Sequence, residues 1–314
     1  MKIVKLMTLL MGMVMVVASC DLFTIPEPKE TEAKKNNNND IVANDENIKL
    51  SSFLKSNGLE VTDIKMLIND TENTRTSFKY GEKVVFNLYD VKGFTVEEDQ
   101  IYPTASLYII DSDGDSIYGV PNLLEYDSNG ISKDSTDYTF YLSTFFDYGI
   151  PKEYDLALHL NDLKGTAEAD FRMPFSLVDN NLFNIHDLTG ITANQVFLNS
   201  TYNGYALTSH QTELRGDFNI IIKGLKGFKT VDGLTHPQVY LNLKDANKKS
   251  IIKSKNMFKD YTTIGVDPEL LEDIITLDFN LSEGYLDNPV NIEVMVRDSI
   301  SEVIFSADTN IYFN

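Results

Sequence analysis

VVFNLYDVKGFTVEEDQIYPTASLYIIDSDGDSI, residues 84–117, and FNIIIKGLKGFKTVDGLTHPQVYLNLKDANKKSI, residues 218–251, align without a gap at a constant offset of 134. Lys92-Gly93-Phe94 falls on Lys226-Gly227-Phe228, Pro103 on Pro237, Leu107 on Leu241, Asp111 on Asp245 and Ser116-Ile117 on Ser250-Ile251. The apolar phase is kept as well: Val84, Phe86 and Leu88 match Phe218, Ile220 and Ile222. Shared spacing, turn residues and phase together mark two copies of one domain, because solenoid units repeat at a much shorter period.

Outward from this pair, period-two patterns continue in step. Tyr154, Leu156, Leu158 and Leu160 alternate like Val290, Ile292, Val294 and Val296, and each run is followed by an aspartate, Asp162 or Asp298. Phe140, Leu142, Thr144 and Phe146 resemble Ile275, Leu277, Phe279 and Leu281. IKMLIND (64–70) and NQVFLNS (194–200) open the copies as first strands, and RMPFSLV (172–178) and DTNIYF (308–313) close them. Such alternation predicts strands with one face buried and one wet. One helical turn is expected in each copy: Asp267 as N-cap with Pro268 behind it ahead of ELLEDI, and PNLLEY (121–126). About seven short strands per copy, separated by Gly, Asn and Asp, resemble an immunoglobulin-like antiparallel sandwich in length and strand count. The antibody-type Cys and Trp marks are missing, so the resemblance is one of architecture. The fold expectation is therefore all-β: two tandem immunoglobulin-like β-sandwiches at residues 60–178 and 193–314, joined by a linker at 179–192. A closed barrel for each copy is the alternative.

Ahead of the copies stands MKIVKLMTLLMGMVMVVASC (1–20). Lys2 and Lys5 form a positive n-region and Leu6 to Val17 an apolar h-region shorter than the roughly 20 residues that span a bilayer. Val17-Ala18-Ser19-Cys20 resembles the lipobox of bacterial lipoproteins. That resemblance implies cleavage after residue 19, a diacylglycerol on the Cys20 thiol and acylation of the new amine. Two or three acyl chains anchor stably where one does not. Asp21 to about Asn47 is rich in Pro, Glu, Lys and Asn, too polar to offset its ordering entropy, so residues 20–59 read as a mostly disordered tether with a reach of about 25–35 Å. IKLSSFLKSNG (48–58) could add one short helix ended by Gly58.

The chain carries a formal charge of −20, with one Cys, no Trp, 18 Phe and 16 Tyr among its 314 residues. That net field argues against nucleic-acid binding and against electrostatic docking on anionic lipid. With its sole Cys at position 20, the fold contains no intrachain disulfide. Asp111, Asp113 and Asp115, around Gly114, resemble the start of a calcium loop and are candidate ligands for a weak calcium site, but the second copy replaces the matched stretch with Ala246-Asn247-Lys248-Lys249. An ordinary acidic hairpin turn reads the same residues without a metal. His159, His186, His210 and His236 show no metal-ligand spacing, and His159 stands in its strand on the face opposite Leu158 and Leu160. No G-x-S-x-G elbow, phosphate loop or H-E-x-x-H helix occurs. Lys-Gly-Phe in both copies reads as a turn with an aromatic core plug. Phe145, Phe146 and Tyr148 crowd one strand end beyond what alternation demands and are the candidate partner contacts.

These readings lead to a lipid-anchored envelope protein of the outer membrane or cell surface, with the inner membrane as the alternative. It is expected to need no cofactor beyond the lipid and to act without catalysis as a binding or adhesion module for a protein or glycan. A structural spacer or assembly subunit of an envelope complex is the alternative, and a hydrolase the third reading.

Overall fold

The computed structural model describes residues 48–124, 130–145, 152–188, 190–281, 287–301 and 303–314. The described residues form two compact units, one from residues 48–78 with Lys83–Val178, the other from Lys79–Glu82 with Asp179–Asn314. Each is an antiparallel β-sandwich of immunoglobulin-like architecture.

In the first unit the principal strands are β1 (Leu54–Asn57), β2 (Asp63–Ile68), β3 (Lys83–Tyr89), β4 (Pro103–Asp111), β5 (Ser116–Val120), β6 (Tyr138–Ser143), β7 (Lys152–Asp162) and β8 (Glu168–Val178). A large sheet runs in the order β1-β8-β7-β4-β5, and a smaller one contains β6-β3-β2. The second unit repeats this plan with β9 (Asn184–Leu188), β10 (Gln195–Ser200), β11 (Asp217–Lys223), β12 (Pro237–Lys244), β13 (Ser250–Lys253), β14 (Ile274–Asn280), β15 (Val290–Asp298) and β16 (Ile304–Phe313), with helices α1 (Lys259–Ile264) and α2 (Pro268–Asp273) before β14. Its sheets run β9-β16-β15-β12-β13 and β10-β11-β14. Each strand of the first unit thus has its counterpart eight strands later, in the same place in the same sheet.

Alternation explains the layers. In β7, Tyr154, Leu156, Leu158 and Leu160 are buried, and in β15 Val290, Ile292, Val294 and Val296 are wholly so. Opposite them the small sheets supply Phe86 and Phe140, or Ile220 and Leu277. Rings fill the middle in place of tryptophan. Phe86 lies 5.5 Å from Phe171, and Phe218 packs 5.8 Å from Phe279 and 5.3 Å from Phe313. Burying each such side chain stabilises by about 1.5–3 kcal/mol.

The Lys-Gly-Phe segments have a more specific cause than a turn. Gly93 has φ +103° and a Cβ there would lie 2.1 Å from the carbonyl oxygen of Gly58; Gly227 has φ +101° and its Cβ would lie 1.8 Å from that of Gly190. The backbone crosses the start of each sandwich so closely that only glycine fits. Paired amide bonds lock the crossing, between Glu60 and Lys92 and between Thr192 and Lys226.

A buried aspartate holds the next residues. Asp162 accepts the amide of Thr95 at 2.8 Å and that of Lys164 at 3.1 Å. Its counterpart Asp298, with no exposed surface, accepts the amides of Lys229 at 2.9 Å and Ile300 at 3.0 Å and the hydroxyl of Ser301. Burial pushes the Asp298 carboxyl up, but these donors outweigh it and hold the group below the ordinary carboxylate range.

Four expectations differ from the structure. Residues 48–58 are not a helix: a 3-10 turn at Leu50–Phe53 leads into β1, which pairs with β8. The span 179–192 is more than a linker, because it contains β9, which pairs with β16 at the matching place. Both segments carry too little alternation to announce a strand, and β9 is bulged between Ile185 and Asp187. Of PNLLEY, residues 121–124 are not helical; Leu123 and Leu124 are buried and the Leu123 amide bonds the Ala105 carbonyl. Finally, pairing places Phe140 opposite Phe86 and Leu277 opposite Ile220, so Phe140 corresponds to Leu277, two residues from the sequence match. Period two hides a slip of two. Helix α2 forms as expected, with Asp267 accepting the Glu269 amide at 3.0 Å.

Candidate functional site

Among the sequence-derived candidates, Cys20, Phe146 and Tyr148 lie outside the described residues. Phe145 is half-buried just after β6. The three aspartates stand in the β4–β5 hairpin, where the Asp111 carboxylate oxygen Oδ1 accepts the amides of Asp113 and Asp115, each at 3.0 Å. Asp245 does the same work in the β12–β13 hairpin, accepting the Lys249 amide at 2.8 Å. The aspartate shared by the copies therefore closes a turn, whether carboxylates or lysines follow it. Among the described residues no group of three or more His, Cys, Asp or Glu side chains converges as metal ligands.

The outward positions of the two large sheets carry the richer chemistry. In the first unit the cross-strand row is Tyr108, Ala157 and Arg172, on β4, β7 and β8. Arg172 donates from Nε at 3.1 Å and from Nη2 at 2.7 Å to Asp155 Oδ2. His159 Nδ1 is hydrogen-bonded to Asp170 Oδ1, and the Tyr108 ring meets the His159 ring edge-on at 6.3 Å. Gly119 on β5 makes room for that tyrosine, since a Cβ there would lie 2.6 Å from the ring. Ala157 is covered by its neighbours although it points outward. A cavity of about 270 Å³ adjoins this row, with Asp111, Glu153, Asp155 and Arg172 on its walls.

In the second unit the matching row is Asn242, Glu293 and Asp308, on β12, β15 and β16. The two carboxylates face each other across the strands, a destabilising pairing unless neighbours offset it. They do so here: Glu293 Oε2 accepts from Asn242 at 3.0 Å and from Lys244 at 3.3 Å, while Asp308 takes His186 Nε2 on one oxygen and Asn291 at 3.0 Å on the other. His186, Lys244, Asn291, Glu293 and Asp308 line a cavity of about 230 Å³, together with Ser306. No hydrogen bond links the Ser306 hydroxyl to His186, so the base-to-nucleophile contact of a hydrolytic triad is not formed. Fixed donors and acceptors on a rigid sheet suit recognition by hydrogen bonding.

The sequence reading missed these rows. Tyr108, Asp155, Arg172, Glu293 and Asp308 are legible as the out-of-phase members of alternating runs. Nothing marked His186, which lies in a segment read as linker.

No family model matches the chain, and no curated protein matches it. Among solved structures it is similar to the fibronectin(III)-like modules of CbhA from Clostridium thermocellum, at 11% identity over 79% of this chain and 94% of that one, with a TM-score of 0.20. It is also similar to dimeric latent PorU from Porphyromonas gingivalis, at 13% identity and a TM-score of 0.24, over 82% of this chain and 20% of that one. Against the native conformation of E. coli alpha-2-macroglobulin it shows 10% identity and a TM-score of 0.23, over 79% of this chain; the chain spans 14% of that protein's length. Likenesses this distant say nothing of ligand or activity.

Proposed function

We propose that this chain is an envelope lipoprotein, held to the outer membrane or cell surface by lipid on Cys20, whose two sandwiches bind a protein or glycan partner without catalysing a reaction. One observation carries the binding reading: identical positions on one scaffold bear Tyr108, Ala157 and Arg172 in the first unit and Asn242, Glu293 and Asp308 in the second, while cores, hairpins and glycine crossings match. Duplicated scaffolds with divergent outer faces fit recognition, and fit poorly a catalytic group common to both. Phe145, with Phe146 and Tyr148, is a second proposed contact. Support for the anchor is the ordered n-region, h-region and Val-Ala-Ser-Cys. No helix among the described residues is long and apolar enough to cross a membrane.

The test is a pull-down from envelope extracts with the full-length protein. A partner recovered by the wild type should be lost or weakened when Tyr108 and Arg172, or Glu293 and Asp308, become Ala. Turnover of a glycan or peptide by the pure protein, abolished by one of these substitutions, would overturn the reading.

A further inference from the structure

The second unit carries a concentration of positive charge opposite in sign to the chain as a whole. Between Lys223 and Lys259 stand nine lysines and two aspartates, in a protein of formal charge −20. Topology places five of the nine along one edge. Strand β13 is the outermost strand of its large sheet. Residues 254–257 continue past it along β12, the Ser254 amide bonding the Leu241 carbonyl and the Met257 amide the Val239 carbonyl. Lys248 and Lys249 stand at the hairpin tip, Lys253 and Lys255 along the edge, and Lys259 at the start of α1; all five are exposed. None makes an ion pair among the described residues, whereas Lys244 pairs with Glu293 and Lys226 with Glu272. The acids nearby are engaged or few: Asp245 closes the hairpin, Asp287 accepts from Asn247, and Asp260 adjoins Lys259.

Lysines commonly guard sheet edges against strand-to-strand aggregation. That duty does not account for five of them here, because β5, the same edge in the first unit, does without. From Asp111 through Ser132 the first copy has no lysine or arginine at all. Within a Debye length of about 8 Å this row outweighs the distant acidic surface.

The row runs the length of β12, eight residues or about 25 Å. That gives roughly one ammonium per 5 Å, about a third of the charge density of duplex DNA at one charge per ~1.7 Å. The lysine row itself contains no arginine for bidentate phosphate contact, and the nearby rings Phe258 and Tyr261 are half-buried against each other at 5.3 Å, not free to stack on bases. An added β-strand is disfavoured too, since β13 is only four residues long and its ladder is bulged between Leu243 and Lys244. A sparsely charged flexible polymer fits best. We propose that this edge binds an acidic polysaccharide, with the lysines pairing to successive carboxylates along the chain. The proposal rests on the contact reading above but uses a different surface.

Full-length protein in mild detergent is titrated with polygalacturonate at low salt, with neutral dextran, polyglutamate, single-stranded DNA and phosphatidylglycerol vesicles as comparison probes. Polygalacturonate should bind, dextran should not, and affinity should fall as salt rises. Changing Lys249, Lys253, Lys255 and Lys259 together to Ala should weaken binding about tenfold or more with the β-type circular dichroism intact. The pair Lys253→Glu and Lys255→Glu should do the same, and Lys65→Ala, which removes a lysine of the first unit paired to Glu72, should leave it unchanged. No binding by the wild type, equal binding by the lysine variants, or tighter binding to polyglutamate, DNA or vesicles would each overturn the proposal. Loss of the envelope partner on changing the outer faces, with polygalacturonate still bound, speaks only to the contact reading.

Discussion

Replacing Asp298 by Ala removes the acceptor for four donors at once: the amides of Lys229, Ile300 and Ser301 and the hydroxyl of Ser301. The site has no exposed surface, so the orphaned groups do not simply turn to water. A hydrogen bond to a charged group contributes about 1.5–3 kcal/mol, and partial water entry reduces the sum, giving an expected loss of about 3–5 kcal/mol. Asp298→Asn keeps one acceptor oxygen and should cost less, about 1–3 kcal/mol. The pH dependence follows from the direction of the shift. The folded carboxyl titrates below its unfolded value, so its stabilisation is present above about pH 4 and is lost as pH falls through the folded value. The gap between wild type and Asp298→Asn should therefore narrow in acid. Urea unfolding followed by far-UV circular dichroism measures the loss, and hydrogen exchange at the Lys229 and Ile300 amides locates it. A cost for Asp298→Ala below about 1 kcal/mol, or a gap that widens as pH is lowered, would refute the account.

Gly227→Ala must move a backbone carbonyl that its Cβ would meet at 1.8 Å, and should cost at least about 3 kcal/mol in urea unfolding; Gly93→Ala should behave alike. Lys248 stands at φ +63° where the first copy has Gly114, so Lys248→Gly should raise stability by about 0.5–1 kcal/mol, and a loss would contradict the backbone reading. Because Asp111 Oδ1 already serves two amides, millimolar calcium should leave the melting temperature unchanged, and a rise abolished by Asp113→Ala would restore the cation site. Cys20→Ser should release the protein from the detergent phase or leave it unprocessed; unchanged partition with an unmodified wild-type N-terminus would sink the anchor.

Much of the scaffold was legible because burial writes itself into period two. The ungapped match held Val84 to Phe218 and Pro103 to Pro237 in structure as in sequence. Segments whose pairing depends on a few backbone bonds were not legible: β1 and β9 have five residues or fewer, and their burial is set by the neighbouring strand. The significance of Lys-Gly-Phe was visible as a repeat, but the reason for it, a contact with a carbonyl 35 or 37 positions earlier, exists only once the chain has crossed itself. The outer rows escaped notice because an exposed position announces polarity and nothing about what stands beside it on the next strand.

The pairing of β1 with β8 and of β9 with β16 also sets how each sandwich responds to tension. Both pairs are antiparallel, so the end where β1 begins and the end where β8 finishes lie on the same side, as do those of β9 and β16. Stretching the chain between such ends opens the ladder like a zipper, loading one hydrogen bond at a time. At about 1 kcal/mol per bond, a ladder of four or five residues gives way gently and releases slack. The pull then arrives at Gly58 or Gly190, where the chain passes beneath Gly93 or Gly227 and is held by the paired amides. Each sandwich thus has a compliant first strand backed by a firm stop.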